Sequence, residues 1–115
     1  RTPSQKTLVK NLSGGNIQKV VMARELARKP DVLIAAQPTR GVDIGAIEYI
    51  HGELLKQRSE GLATLLISED LDEIRNLSDR IAVMFDGELM GIVENEQTTV
   101  EELGLMMAGE RQSVN

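Results

Sequence analysis

The chain has no cysteine and no tryptophan, and its only aromatic residues are Tyr49 and Phe85. Without cysteine there is neither a disulfide framework nor a thiolate metal site. Two aromatics make a poor stacking platform for bases. No apolar run approaches the roughly 18 residues that a membrane-spanning helix needs. The single histidine, His51, has no second His or Cys to share a metal, so it reads as a surface or half-buried helix residue. Lysine and arginine do not cluster, and the formal charge is -5 with a pI of about 4.9. That balance argues against an extended nucleic-acid surface, while a single phosphate site, which needs only local donors, survives it. The polar N-terminus around Arg1 and Lys6 lacks the apolar core of a signal peptide. Lys6-Thr7 has the ending of a phosphate-binding P-loop, but no glycine-rich turn precedes it.

The 115 residues suffice for one small domain with a modest core. Because residue 1 is Arg rather than Met, the chain is expected to be a piece of something longer. Residues 1–11 read as an extended lead-in. Over 17–28, Val20, Val21, Ala23, Leu26 and Ala27 recur at helical spacing, and Pro30 stops the helix near Lys29. Val32–Ala36 is a short apolar run between Pro30-Asp31 and Gln37-Pro38, the pattern of a strand buried in a parallel sheet. Asp43 can cap a helix over 44–60, with Ile47, Ile50, Leu54 and Leu55 as its stripe and Gly61 at its end.

Ala63–Ile67 reads as a second buried strand, and Ser68-Glu69-Asp70 as the start of a short helix running to Leu77. Strands over 81–85 and 88–93 flank Asp86-Gly87, a strong hairpin signal. Thr99 with Glu102 forms a capping box before a last helix over 100–107, and 110–115 reads as a loose tail. Met84, Met90, Met106 and Met107 are assigned to packing. Strands alternating with helices imply an α/β fold with parallel strands and crossover helices. Two such strands cannot cover themselves, so further strands are expected beyond these residues.

The chemistry begins at Leu12-Ser13-Gly14-Gly15-Asn16. A helix N-terminus carries unpaired backbone N–H groups and roughly half a positive charge. Glycines admit a bulky anion to that backbone, and a serine adds a donor. The plain alternative is that Ser13 merely caps the helix. Four landmarks then follow in order: this stretch with Gln18-Lys19, Val32–Ala36 with Gln37-Pro38-Thr39, Gly41-Val42-Asp43, and Leu65-Leu66-Ile67-Ser68-Glu69-Asp70.

In this order and spacing, the landmarks resemble the signature, Walker B strand, D-loop and H-loop of an ABC-transporter nucleotide-binding domain. The resemblance covers the chain from about Lys10 to Gly109, makes 12–109 the C-terminal portion of such a domain, and implies a partial P-loop NTPase of the RecA-like ABC type. It carries a C-terminal hairpin and helix and lacks its N-terminal P-loop part. Asn16, Pro38-Thr39-Arg40-Gly41-Val42-Asp43 and the ending Glu102-Leu103-Gly104-Leu105-Met106-Met107-Ala108-Gly109 look like the second half of tandem ATPases serving importers of simple sugars and nucleosides. Ala35-Ala36-Gln37-Pro38-Thr39 and that ending look more like the nucleoside, basic-membrane-lipoprotein branch than the ribose branch.

The resemblance implies ATP and Mg²⁺ bound between two domains, with Ser13, Gly14, Gly15, Asn16, Gln18 and Asp43 facing the partner's nucleotide in trans. It also implies a partner nucleotide-binding half, a transmembrane permease and an extracytoplasmic substrate-binding lipoprotein, at the cytoplasmic face of the membrane. Three positions depart from the pattern. Where the Walker B strand has Asp-Glu, this chain has Ala36 and Gln37, and where the H-loop has His it has Glu69. Ala36 has no carboxylate for a metal shell. Gln37 can orient a water but cannot accept its proton. A carboxylate at Glu69 would repel a γ-phosphate. The expectation is a degenerate own site beside an intact signature. The alternatives are a soluble ABC-type ATPase of repair or translation and a non-catalytic structural module.

Overall fold

The computed structural model describes residues 14–111, which divide into two units between Asp70 and Leu71. The lead-in, Leu12, Ser13 and the last four residues lie outside the described residues.

The first unit contains α1 (Gly14–Ala27), β1 (Val32–Ala36), α2 (Ile44–Ser59) and β2 (Ala63–Ile67). Both strands have the expected bounds. They pair in parallel, from Val32 opposite Ala63 to Ala36 opposite Ile67. α2 is the crossover between them. Asp43 caps it as expected, accepting the Ala46 N–H at 2.9 Å. Gly61, at φ +96°, follows its last turn. There the Gly61 N–H donates to Arg58 O and the Leu62 N–H to Gln57 O, which closes a Schellman motif.

Several expectations shift. α1 begins at Gly14 rather than residue 17, so the two glycines form its first turn instead of preceding it. α1 ends at Ala27, with Lys29 in the left-handed region at φ 52°. Pro30 has no N–H, so the ladder stops with the Arg28 N–H donating to Glu25 O and the Lys29 N–H donating to Leu26 O. On α2 the buried residues are Ala46, Ile50 and Leu54. Ile47 is half-buried and Leu55 exposed.

β1 is buried on one face only. Leu33 and Ala35 face the core, whereas Val32 and Ile34 are 58% and 65% exposed. On β2, Leu65 and Ile67 are exposed as well. Among the described residues the unit has two strands and a helix layer on one side of them, so one sheet face keeps its apolar residues in the open.

The second unit contains α3 (Leu71–Leu77), β3 (Arg80–Phe85), β4 (Glu88–Glu94), a single 3-10 turn (Asn95–Gln97) and α4 (Val100–Met107). The short helix starts three residues later than Ser68, because the Ser68 hydroxyl instead accepts the Asp70 N–H at 3.0 Å. β3 and β4 are antiparallel, turning through Asp86 (φ 51°) and Gly87 (φ 78°). Both φ values are positive, which is what a type I′ turn requires. The pairing shifts register between Val83 and Met84. Ile81, Val83, Met90, Val93, Leu103 and Met106 form the core, with Leu71 and Ile74 packed against it. Met90 and Met106 are thus core residues as assigned. Met84 and Met107 are exposed, on faces that alternate away from that core.

A polar clamp that no motif announced closes this unit. Arg75 Nη1 donates to Asn95 Oδ1 at 2.8 Å and to Asn95 O at 2.9 Å. Asn95 Nδ2 donates back to Arg75 O at 2.8 Å and to Ser78 O at 2.7 Å. The end of α3 is thereby tied to the chain leaving β4. Thr99 caps α4, accepting the Glu102 N–H at 3.1 Å. Gly109, at φ 101°, follows it, and a Cβ there would sit 2.9 Å from the Phe85 ring. Arg111 donates to Leu89 O and pairs with Glu88.

Two outcomes follow for the full-length protein. Asn95→Ala leaves the Arg75 and Ser78 carbonyls without the Nδ2 donor and takes one of three acceptors from Arg75 Nη1, at a cost of about 1–3 kcal/mol. Amide hydrogen exchange over β3 and β4 should therefore quicken about tenfold or more; unchanged exchange would contradict the clamp. Gly109→Ala should destabilise more than Gly61→Ala. Both positions have positive φ, but only Gly109 has a side chain within 4 Å of the added carbon. Equal losses in thermal unfolding would refute the Phe85 contact.

Candidate functional site

Parallel pairing places the C-terminal ends of β1 and β2 side by side, so the loops that follow them meet. The Gln37 N–H donates to Ile67 O at 2.7 Å, one step beyond the strand. Gln37 then takes a φ of +48°, an uncommon conformation for a residue with a Cβ, and turns the chain away from the sheet. Its side-chain Oε1 accepts the Glu69 N–H at 3.3 Å. The Arg40 N–H donates to Gln37 O at 3.2 Å. Arg40 Nη2 in turn donates to Glu69 Oε2 at 2.6 Å. Gln37, Arg40 and Glu69 are therefore one bonded cluster drawn from two loops.

Sequence reasoning singled out Gln37 and Glu69 but missed Arg40 and the bonds between them. A signal was present. In-register parallel strands ending at Ala36 and Ile67 bring the following residues together, and those residues include the Arg40 cation and the Glu69 carboxylate.

The remaining predicted residues fall elsewhere. Gly14, Gly15 and Asn16 form the first turn of α1, while Ser13 lies outside the described residues. That turn offers unpaired backbone N–H groups with two residues lacking side chains, a fit for a bulky anion. Gln18 is half-buried and lines a cavity of about 280 Å³ together with Met22, Leu33, Ala36, Pro38 and Ile50. The structure thus brings Gln18 to the same cavity as Ala36. Asp43 is exposed, and its carboxylate is engaged in capping α2.

The donor set at the strand ends does not fit a magnesium shell. Ala36 presents a methyl group, the Gln37 amide oxygen accepts a backbone N–H, and the Glu69 carboxylate is paired with Arg40. The cluster can orient a water or meet an anion. It offers no free carboxylate to accept a proton.

No family model matches the chain. Among curated proteins, it is similar to the guanosine import ATP-binding protein NupO of Bacillus subtilis. The two are 56% identical over 97% of this chain and 22% of that protein. It is also 61% identical to the nucleoside import ATP-binding protein NupA of Lactococcus lactis, over 86% of this chain and 20% of that one. The chain thus spans about a fifth of the length of these relatives. Among solved structures, an ATP-binding cassette of an ABC transporter matches with a TM-score of 0.69 at 26% identity, over 88% of this chain and 38% of the cassette. A bacterial ABC cassette solved as a dimer matches with a TM-score of 0.68 at 32% identity, over 76% and 38%.

The parallel strands and the helices beside them are those of an ABC ATPase cassette, a P-loop NTPase fold present here in part. The chain belongs to the ABC-transporter ATP-binding proteins, and its relatives include import proteins for nucleosides and sugars.

The Arg40 and Glu69 side chains are 66% and 79% exposed, so water screens their attraction. Exposed ion pairs contribute at most about 1 kcal/mol. Glu69→Gln should accordingly leave the thermal stability of the full-length protein nearly unchanged, and a loss well above that value would give the pair a structural role instead.

Proposed function

We propose that this chain is part of the ATP-binding subunit of an importer for a nucleoside or simple sugar, and that it serves ATP chemistry chiefly in trans. The turn at Gly14, Gly15 and Asn16, with Ser13, holds the γ-phosphate of a nucleotide bound by a partner nucleotide-binding half. Gln18 and Asp43 lie along the same interface. Closing that interface on ATP and releasing it after hydrolysis drives a transmembrane permease, fed by a substrate-binding lipoprotein. The subunit works at the cytoplasmic face of the membrane. Among the described residues no helix is long and apolar enough to cross one. Mg²⁺ belongs to the complete site of the partner half.

The observation that carries this reading is the strand-end cluster. Ala36, Gln37 and Glu69 occupy the positions where the resemblance places two acids and a histidine, and two of the three are tied into bonds with each other and with Arg40. Such a site lacks a general base and a metal carboxylate. It holds nucleotide poorly or without turnover. This stretch of chain alone does not hydrolyse ATP.

The decisive experiment uses the full-length protein. Replacing the partner half's catalytic Glu by Gln should abolish turnover, because the site built on Ala36 and Gln37 cannot compensate. Substantial remaining ATPase activity would sink the reading. Ser13→Arg should block closure on a non-hydrolysable ATP analogue, and unchanged closure would mean that Ser13 only caps a helix.

A further inference from the structure

Arg40 is a cation with capacity to spare. A guanidinium carries five N–H donors in a rigid planar fork, and Glu69 engages it through Nη2 while most of the side chain stays exposed. It stands at the C-terminal ends of two parallel strands, the edge at which α/β folds receive their ligands. The bonds that hold it run to Gln37 and Glu69, and the Glu69 carboxylate is engaged by Arg40 itself rather than left for a metal. A polyphosphate bound without such a carboxylate needs its charge met by the protein, and the guanidinium fork suits phosphate oxygens.

We propose that Arg40 is a phosphate ligand of this domain's own nucleotide site, and that Glu69 is a positioning residue that holds the Arg40 fork in place. The inference rests on the reading that this site retains nucleotide without turning it over. It also reverses the sign assigned to Glu69. An isolated carboxylate repels a phosphate, whereas one neutralised by Arg40 anchors the group that attracts it. Two bonds keep the anchor in register: Glu69 is held by Gln37 Oε1 through its backbone N–H, and Arg40 is held by Gln37 O through its own. The three residues form a closed ring, and Arg40 is its exposed cationic corner.

The test measures binding of a radiolabelled non-hydrolysable ATP analogue to the full-length protein by equilibrium dialysis. Replacing the lysine of the partner half's own P-loop by alanine removes nucleotide from the partner's site and leaves this domain's own. Arg40→Ala and Glu69→Gln should each weaken the remaining binding about tenfold or more, the loss expected of a charge-assisted contact. Arg40→Lys, which keeps the charge and loses the fork, should recover part of it. Tighter or unchanged binding in Glu69→Gln would overturn the proposal, as would unchanged binding in Arg40→Ala. So would the absence of any binding once the partner's P-loop lysine is replaced. The reading beneath fails separately: turnover that persists after the partner's catalytic Glu is replaced would end it, and the binding comparison would still decide the role of Arg40.

Discussion

Parallel, in-register pairing of β1 with β2 sets the geometry on which the candidate site depends. Every residue from Val32 to Ala36 lies opposite its partner between Ala63 and Ile67, so both strands end at the same level. The bond from the Gln37 N–H to Ile67 O carries the ladder one residue further and fixes where the chain turns. From that turn, Arg40 and Glu69 come within hydrogen-bond distance although 29 residues separate them. The crossover helix that makes this possible is held by its Asp43 cap, its Schellman ending at Gly61 and the buried Ile50. A one-residue slip between the strands would turn their core-facing residues outward and part the two loops.

The second unit meets a different constraint. Its hairpin and two short helices have a small apolar core, and small cores are marginal on burial alone. Directional bonds supply what area does not. Arg75 and Asn95 satisfy each other's side chains and four backbone carbonyls, those of Arg75, Ser78, Asn95 and Thr98. Arg80 and Glu94 pair across the open end of the hairpin, while Gly109 lets α4 end against Phe85.

Much of this was legible in the residues themselves. Punctuation carried the boundaries. Pro30, Asp43, Gly61, Asp86-Gly87 and Thr99 with Glu102 each act through a local backbone preference that neighbours do not alter, and each marks the place where an element turns, starts or stops. Burial was less legible. Val32 and Ile34 are as apolar as any core strand, yet whether a strand face is covered depends on what packs over it, and the hydrophobic pattern of the strand itself is silent on that. Met84 and Met107 failed for the same reason. The left-handed Lys29 and Gln37 carry no compositional mark. At the site, residue identity exposed the missing acids at Ala36 and Gln37, but the pairing of Arg40 with Glu69 needed the strand register.

The central claim is that two nucleotides bound by the full-length protein have different fates. A single-turnover experiment with two equivalents of radiolabelled ATP per full-length protein, at concentrations that fill both sites, reads this directly. If the site bearing Ala36, Gln37 and Glu69 is silent, one bound ATP per protein is converted to ADP and the other is recovered as ATP. Conversion of both at comparable rates would contradict it.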